Sequence, residues 1–268
     1  MLWEEKDVCP IFNCPSIRLY SLRNPRLAIS LLNVFLDSIG EQVGTAALTQ
    51  QVHDGLTGGS IAAGSTAQGL TEGTGDDVHP DCDKKGLNWK GWKKAYNVEN
   101  KNYWSTDSFS VVSSLMDKVD KQENFKHIKY LVIDTLNGLM VAEEMRILAM
   151  QSGDKRSAWS DLAQNGWALI NKALTLRDDL TVIILCHSET ISDDNGIVKT
   201  RIKTNGRKLE KLVLESKMTT VIWSVRQDGK YKFILSADGS TCKVPMGAFE
   251  TDECDNDIMI VIKALEDY

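Results

Sequence analysis

The stretch KYLVIDTLNGLM, residues 129–140, constrains this chain more than any other. Tyr130, Leu131, Val132 and Ile133 make a short apolar run, rich in β-branched side chains, that suits a strand buried on both faces of a parallel sheet. Asp134 follows directly. A carboxylate at the end of a dry strand is costly to bury unless something there needs negative charge. In an α/β sheet a nucleotide-bound Mg2+ is the commonest such thing. This is the Walker B arrangement, in which an Asp at the carboxyl edge helps hold the metal bridging two phosphates. An Asp capping the following helix would read the same way, and the pattern alone leaves both open.

The 268 residues are enough for a large core, as one α/β domain or one domain with an extension. The longest apolar runs, such as Thr181 to Cys186, are strand-sized, and the amino terminus opens with Glu4, Glu5 and Asp7. The expectation is therefore a soluble, cytoplasmic protein with no membrane segment. Cys9, Cys14, Cys82, Cys186, Cys242 and Cys254 form no CxxC pair and read as reduced thiols. His79 and Cys82 are three apart, as two zinc ligands could be, but no second pair complements them. A net charge of −6 argues against coating nucleic acid through overall charge. Its distribution is uneven. Val198 to Lys217 carries Lys199, Arg201, Lys203, Arg207, Lys208, Lys211 and Lys217 against Glu210 and Glu215, whereas the tail from Glu250 onward is strongly acidic. An anionic partner should meet the first segment and avoid the second.

Residues 1–54 read as an extension of unassigned structure, in which Leu27 to Ile39 predicts an amphipathic helix ended by Gly40. The core then spans 55–268, opening with a Gly/Ser/Thr-rich part at 55–85. By composition the run from Gly55 to Gly75 is a flexible linker. Within it, Gly59 to Thr66 reads GSIAAGST and matches the phosphate-binding pattern G-x-x-x-x-G-K-[ST] everywhere except the lysine, which is Ser65. Gly59 and Gly64 would let backbone N–H groups wrap phosphates and Thr66 could reach Mg2+, but the cation for the β and γ phosphates is missing. No apolar strand immediately precedes this stretch. Further on, lysines from Lys84 to Lys101 interleave with Trp89, Trp92, Tyr96, Tyr103 and Trp104. A single-stranded nucleic acid groove uses such pairs of rings and cations, but a compact aromatic loop packed on the sheet explains the same residues and is the favoured reading.

The second half alternates cleanly. Thr106 caps a predicted helix from Asp107 to Gln122, with Phe109, Val112, Met116 and Val119 inward. After Asp134, helices are predicted from Leu139 to Gln151 and from Ala158 to Arg177, then a second buried strand, Leu180 to Cys186, ending in His187, Ser188 and Glu189. Strand, helix, helix, strand with polar residues at both strand ends is the grammar of a parallel sheet whose ligand lies beyond its carboxyl edge. At that edge His187 could bond a γ-phosphate or an attacking water, or be a histidine satisfied at a strand end. Asn205 and Gly206 open a predicted helix burying Leu209, Leu212 and Val213. Thr219 to Arg226 and Lys230 to Ser236 form a hairpin turned at Asp228 and Gly229.

KGWKKAY at 90–96, YLVIDTLNGLMVAEEM at 130–145, LRDDLTVIILCHSE at 176–189, IKTNGRKLEKLVLESK at 202–217, and DGKYKF with PMGAFETDECDNDI beyond them resemble phage-encoded P-loop ATPases of the AAA/RecA-like kind. The resemblance covers about two thirds of the chain. It implies an α/β RecA-like core, mostly parallel and flanked by helices with a C-terminal β-hairpin, binding ATP and Mg2+ in DNA replication or recombination in the host cytoplasm. It implies Asp134 as the Walker B aspartate, with Thr66 beside the metal and His187 at the tip of the neighbouring strand. On their basic context, Lys203 or Arg207 would complete the charge clamp, in cis or across a homo-oligomer boundary. Members of that group carry a strand and a GKS or GKT loop shortly before the KGW segment, and by sequence this chain lacks both. Without the lysine, turnover should be severely reduced. The competing expectation is an inactive ATPase-fold module that binds single-stranded DNA or a recombination partner through Lys84 to Trp104 and Val198 to Lys217.

Overall fold

The computed structural model describes residues 28–33, 76–87, 91–192 and 196–268. Its strands are β1 (Ala28–Asn33), β2 (Asp77–Asp81), β3 (Tyr103–Ser105), β4 (Tyr130–Asp134), β5 (Thr181–Ser192), β6 (Val198–Ile202), β7 (Thr220–Gln227), β8 (Lys230–Ile234) and β9 (Glu253–Asp255). Among the described residues the helices are α1 (Trp92–Ala95), α2 (Phe109–Lys121), α3 (Leu136–Ala149), α4 (Lys155–Ala173), α5 (Arg207–Glu210) and α6 (Ile258–Glu266). The strands form one sheet in the order β3-β2-β4-β5-β1-β7-β8-β9, with β6 on β5. From β3 to β7 every neighbouring pair is parallel, and β8, β9 and β6 add antiparallel pairs. The fold is therefore α/β, with a mostly parallel sheet.

The two central apolar strands owe their place to burial on both faces. Leu131 and Ile133 of β4, with Val182, Ile184 and Cys186 of β5, pack into a core shared with α2, α3 and α4. Tyr130 and Val132, with Ile183 and Leu185, face the other way and pack against Ile258, Val261, Ile262 and Leu265 of α6. Successive side chains alternate between faces, so a strand with a core on each side must be apolar throughout.

Local signals set the helix ends. Thr135 accepts from the Gly138 amide at 3.0 Å, Asp154 from Arg156 at 2.9 Å and Asp257 from Met259 at 2.9 Å, each satisfying an otherwise unpaired first-turn donor. The cap of α3 is thus Thr135 and not Asp134. Helix α2 buries Phe109, Val112, Met116 and Val119 as its periodicity predicts, with Ser108 at the cap position and not Thr106.

Three expectations are corrected. Residues 28–33, predicted to be helical, form β1, bonded in parallel to β5 on one side and β7 on the other. The short AISLLN run fits either period, and two flanking strands that complete its backbone bonds decide for the strand. The sheet therefore draws a strand from within residues 1–54. The strand carrying His187 does not stop at Cys186 but continues to Ser192, because β6 folds back on it and pairs Ser188 with Ile202 through Ser192 with Val198. In the basic segment α5 is a single turn that buries Leu209, while Leu212 and Val213 are 38% and 54% exposed and Leu214 is buried in their place. The predicted hairpin is present as β7 and β8, and Asp228 and Gly229 both have positive φ, 52° and 77°, as a tight primed turn requires.

The connections leave β2 toward β3 and β4 toward β5, in opposite directions. The crevice beyond the carboxyl ends of β2 and β4 is therefore a topological switch point, where open α/β sheets bind ligands. Because Ile133 is fully enclosed, Ile133→Ala should lower unfolding free energy by about 2–5 kcal/mol in urea denaturation.

Candidate functional site

Asp134 ends β4 with no exposed surface. A buried carboxylate needs compensation, and the neighbouring strand end supplies it. Asp81, the last residue of β2, lies opposite Asp134 in the ladder, and the loop leaving β2 brings Lys85 to the Asp134 carboxylate. From that loop Lys85 Nζ lies 3.4 Å from Asp134 Oδ1 and 2.9 Å from Asp83 Oδ2. From within β2, His79 Nε2 lies 3.5 Å from Asp134 Oδ2. Burial works against the Lys85 charge, but Asp134 and Asp83 outweigh it and leave the ammonium pKa raised.

The loop itself is held firmly. Asp81 Oδ2 accepts from the Gly86 amide at 2.8 Å and from the Tyr103 hydroxyl at 2.6 Å. Burial, and then that bond to Asp81, push the Tyr103 hydroxyl well above its ordinary pKa, so it stays a donor. The other carboxylate oxygen of Asp81 is buried without a hydrogen-bond partner. Thr135 Oγ1 donates to Asp83 at 3.2 Å while accepting the α3 cap bond. Gly138, in the first turn of α3, sits so close to this loop that a Cβ would lie 2.4 Å from Asp83 Oδ1 and 2.7 Å from the Cys82 carbonyl oxygen.

His187 belongs to the same edge. β5 is the parallel neighbour of β4, with Leu185 opposite Asp134, so His187 lies one pleat repeat further out. Asn137 of α3 binds the two together: its Oδ1 accepts from the His187 amide at 2.7 Å, and its Nδ2 donates to the Lys203 carbonyl at 2.9 Å. The Lys203 amide in turn donates to the His187 carbonyl at 2.8 Å. Burial depresses the His187 pKa, Asp83 and Asp134 oppose this, and Lys85 and Lys203 reinforce it. The net direction is downward, so the imidazole is neutral at pH 7. β1 also ends here, with Asn33 opposite His187.

Among the residues singled out from the sequence, Asp134, His187 and Lys203 are thus brought together. Arg207 opens α5 and is exposed, with no hydrogen bond or ion pair to Asp134 or His187 among the described residues. Gly59, Gly64, Ser65 and Thr66 lie outside the described residues. Sequence reasoning missed Asp81, Asp83 and Lys85. The D-C-D-K-K run was a signal for them, but DVHPD does not read as a strand. All five of its positions are buried, three of them polar or charged, and Pro80 has no N–H for the ladder.

In the described part of the aromatic-lysine segment, rings pack into the fold while Lys93, Lys94 and Lys101 are exposed. Tyr96 is buried and donates to Asp77 at 2.6 Å, while the Trp92 and Tyr103 rings lie 4.9 Å apart. Cys82, beside the edge, has its thiol pKa pushed well up by burial and then by Asp134 and Asp81, which keeps it protonated and a poor metal ligand. Among the described residues no three His, Cys, Asp or Glu side chains form a group able to hold a metal. Mg2+ carried by a nucleotide needs only one or two protein carboxylates, with phosphates and water completing its shell. The buried Asp134 carboxylate and the unpartnered Asp81 oxygen fit that smaller demand. No known family model and no curated protein matches this chain. Among the described residues no helix is long and apolar enough to cross a membrane.

Gly138→Ala should cost about 1–3 kcal/mol in urea denaturation, because the clash is with backbone as well as the Asp83 carboxylate. His187 carries a depressed pKa, so its share of stability is complete above the ordinary value of 6.5 and is lost as pH falls toward the folded value. His187→Asn should therefore lose less stability than wild type between pH 7.5 and 5.5, measured as the shift in urea midpoint.

Proposed function

We propose that this chain is a nucleotide-binding protein with a RecA-like core, hydrolysing ATP with Mg2+ in phage DNA replication or recombination. One observation carries the reading: a fully buried aspartate ends β4 at the edge where the adjacent parallel strand β5 presents His187. The register supports it further, since β1 delivers the chain to the same edge beside His187. The sequence pattern at 59–66 adds glycines and Thr66 for the phosphates, and the switch point between β2 and β4 is where such a ligand is expected.

Asp134, with the unpartnered Asp81 oxygen on the neighbouring strand end, is the group that would hold Mg2+ and Thr66 the second, and the ion would neutralise charge on the β and γ phosphates. The chain's own residues do the remainder. Asn137 fixes the backbone of His187 and of Lys203 in one network, so the main chain that carries the imidazole is anchored. A neutral imidazole can donate one hydrogen bond and accept another, which suits it to orient a water or contact a terminal phosphate. Lys203 is exposed at the same edge and supplies positive charge, and Arg207 is the next cation along the chain.

A second reading is favoured by the exposed cations Lys199, Lys203, Arg207, Lys208 and Lys211. It is a module that holds single-stranded DNA without turnover, using charge alone where the Tyr96 ring is already committed to the fold. A titration of purified protein with ATP, with and without Mg2+, separates the two. Mg2+-dependent ATP binding and hydrolysis support the enzyme, and Asp134→Ala should reduce hydrolysis on the order of 100-fold or more. Salt-sensitive binding of single-stranded DNA with no ATP binding supports the module and overturns the enzyme.

A further inference from the structure

The D-C-D-K-K loop carries two adjacent lysines that point to different partners. Lys84 is held at 2.8 Å by Asp107, away from the edge. Lys85 reaches inward to Asp83 and Asp134, and its side chain is 32% exposed whereas Asp134 is wholly enclosed. The ammonium therefore stands between the buried carboxylate and solvent. Its backbone anchor is rigid, because the next residue, Gly86, donates to Asp81 and has φ +76°, where a Cβ would meet the Trp92 ring at 2.8 Å. The four-carbon stem of a lysine is flexible, so a fixed Cα still allows the charge to sweep across several ångströms.

We infer that Lys85 supplies positive charge to the β and γ phosphates of a bound triphosphate. This rests on the nucleotide-binding reading. Asp83 and Asp134 hold the ammonium in place. A divalent cation held by Asp134 would compete with the Lys85 ammonium for the same oxygen, and the anionic β and γ phosphates would then be acceptors for Lys85. Lys85 then changes partner from carboxylate to phosphate, and Asp83 remains within its reach as the return position. The charge thus comes from the loop after β2, and it works on the phosphates beyond the first. AMP, which lacks those phosphates, is indifferent to it.

The test is calorimetric titration of the full chain with ATP and with AMP in the presence of Mg2+, comparing wild type, Lys85→Met and Lys85→Gln. Loss of the charge should weaken ATP binding about tenfold or more, while AMP affinity stays within about twofold, which also reports that the variant is folded. Wild-type ATP binding with equal affinity in both variants overturns the inference and leaves the nucleotide reading standing. Parallel loss of ATP and AMP affinity in both variants marks a purely structural lysine and also overturns it. Failure of wild type to bind ATP removes the nucleotide reading and the inference with it.

Discussion

An aspartate with no exposed surface, set at the carboxyl end of a strand with a core on each face, is the interaction on which the arrangement of this edge depends. Desolvating a carboxylate costs several kcal/mol even after relaxation, and the compensation has to come from groups that are themselves fixed. Here it comes from β2, whose His79 approaches one oxygen while Lys85, just past the strand end, approaches the other. The Cys82 amide also bonds the Asp134 carbonyl, so backbone and side chain of one residue are both tied to the neighbouring element. Removing the Asp134 carboxylate would leave Lys85 with Asp83 as its remaining described carboxylate partner.

From that residue the constraint spreads outward through the first turn of α3. Thr135 touches Asp83, Gly138 lets the helix approach the loop closely, and Asn137 reaches the other way to His187 and Lys203. Three consecutive elements, β2, β4 and β5, are therefore referenced to one helical turn. Side chains held by fixed backbone groups lose little further freedom when a ligand binds, which is the physical basis of a preorganised site. Lys85 differs from its neighbours in having a fixed anchor and a flexible stem, so it is the member of the group able to change partners.

A buried polar network has consequences for the rest of the molecule. Tyr96 bonds Asp77 at the start of β2, the Asn102 amide bonds the Ala95 carbonyl, and Tyr103 bonds Asp81 at the end of β2, which is why the two tyrosines, although they look like a binding face, are spent inside the fold. Burial raises the pKa of Asp77 even with the Tyr96 hydroxyl bonded to it, so the base of this network is itself an acid held in an unfavourable place. The exposed cations of β6 and the segment beyond it stand apart from that network and lie on the flank of the same edge.

The apolar runs of β4 and β5, the inward faces of α2 and α4 and the Asp228–Gly229 turn were legible in the chain, because burial on two faces, helical periodicity and a positive φ each leave a direct mark on residue choice. Asp134 and His187 were legible for the same reason, as polar residues following dry strands. β1 and β2 were not. Six residues of mixed period take strand form through ladder bonds with β5 and β7, and DVHPD is buried through polar partners on other elements, neither of which is written in its own spacing. The position of Lys85 over Asp134 likewise belongs to tertiary structure alone. The two residues are far apart in the chain, and only strand order, which brings β2 beside β4, turns one of many lysines into the cation facing the buried carboxylate.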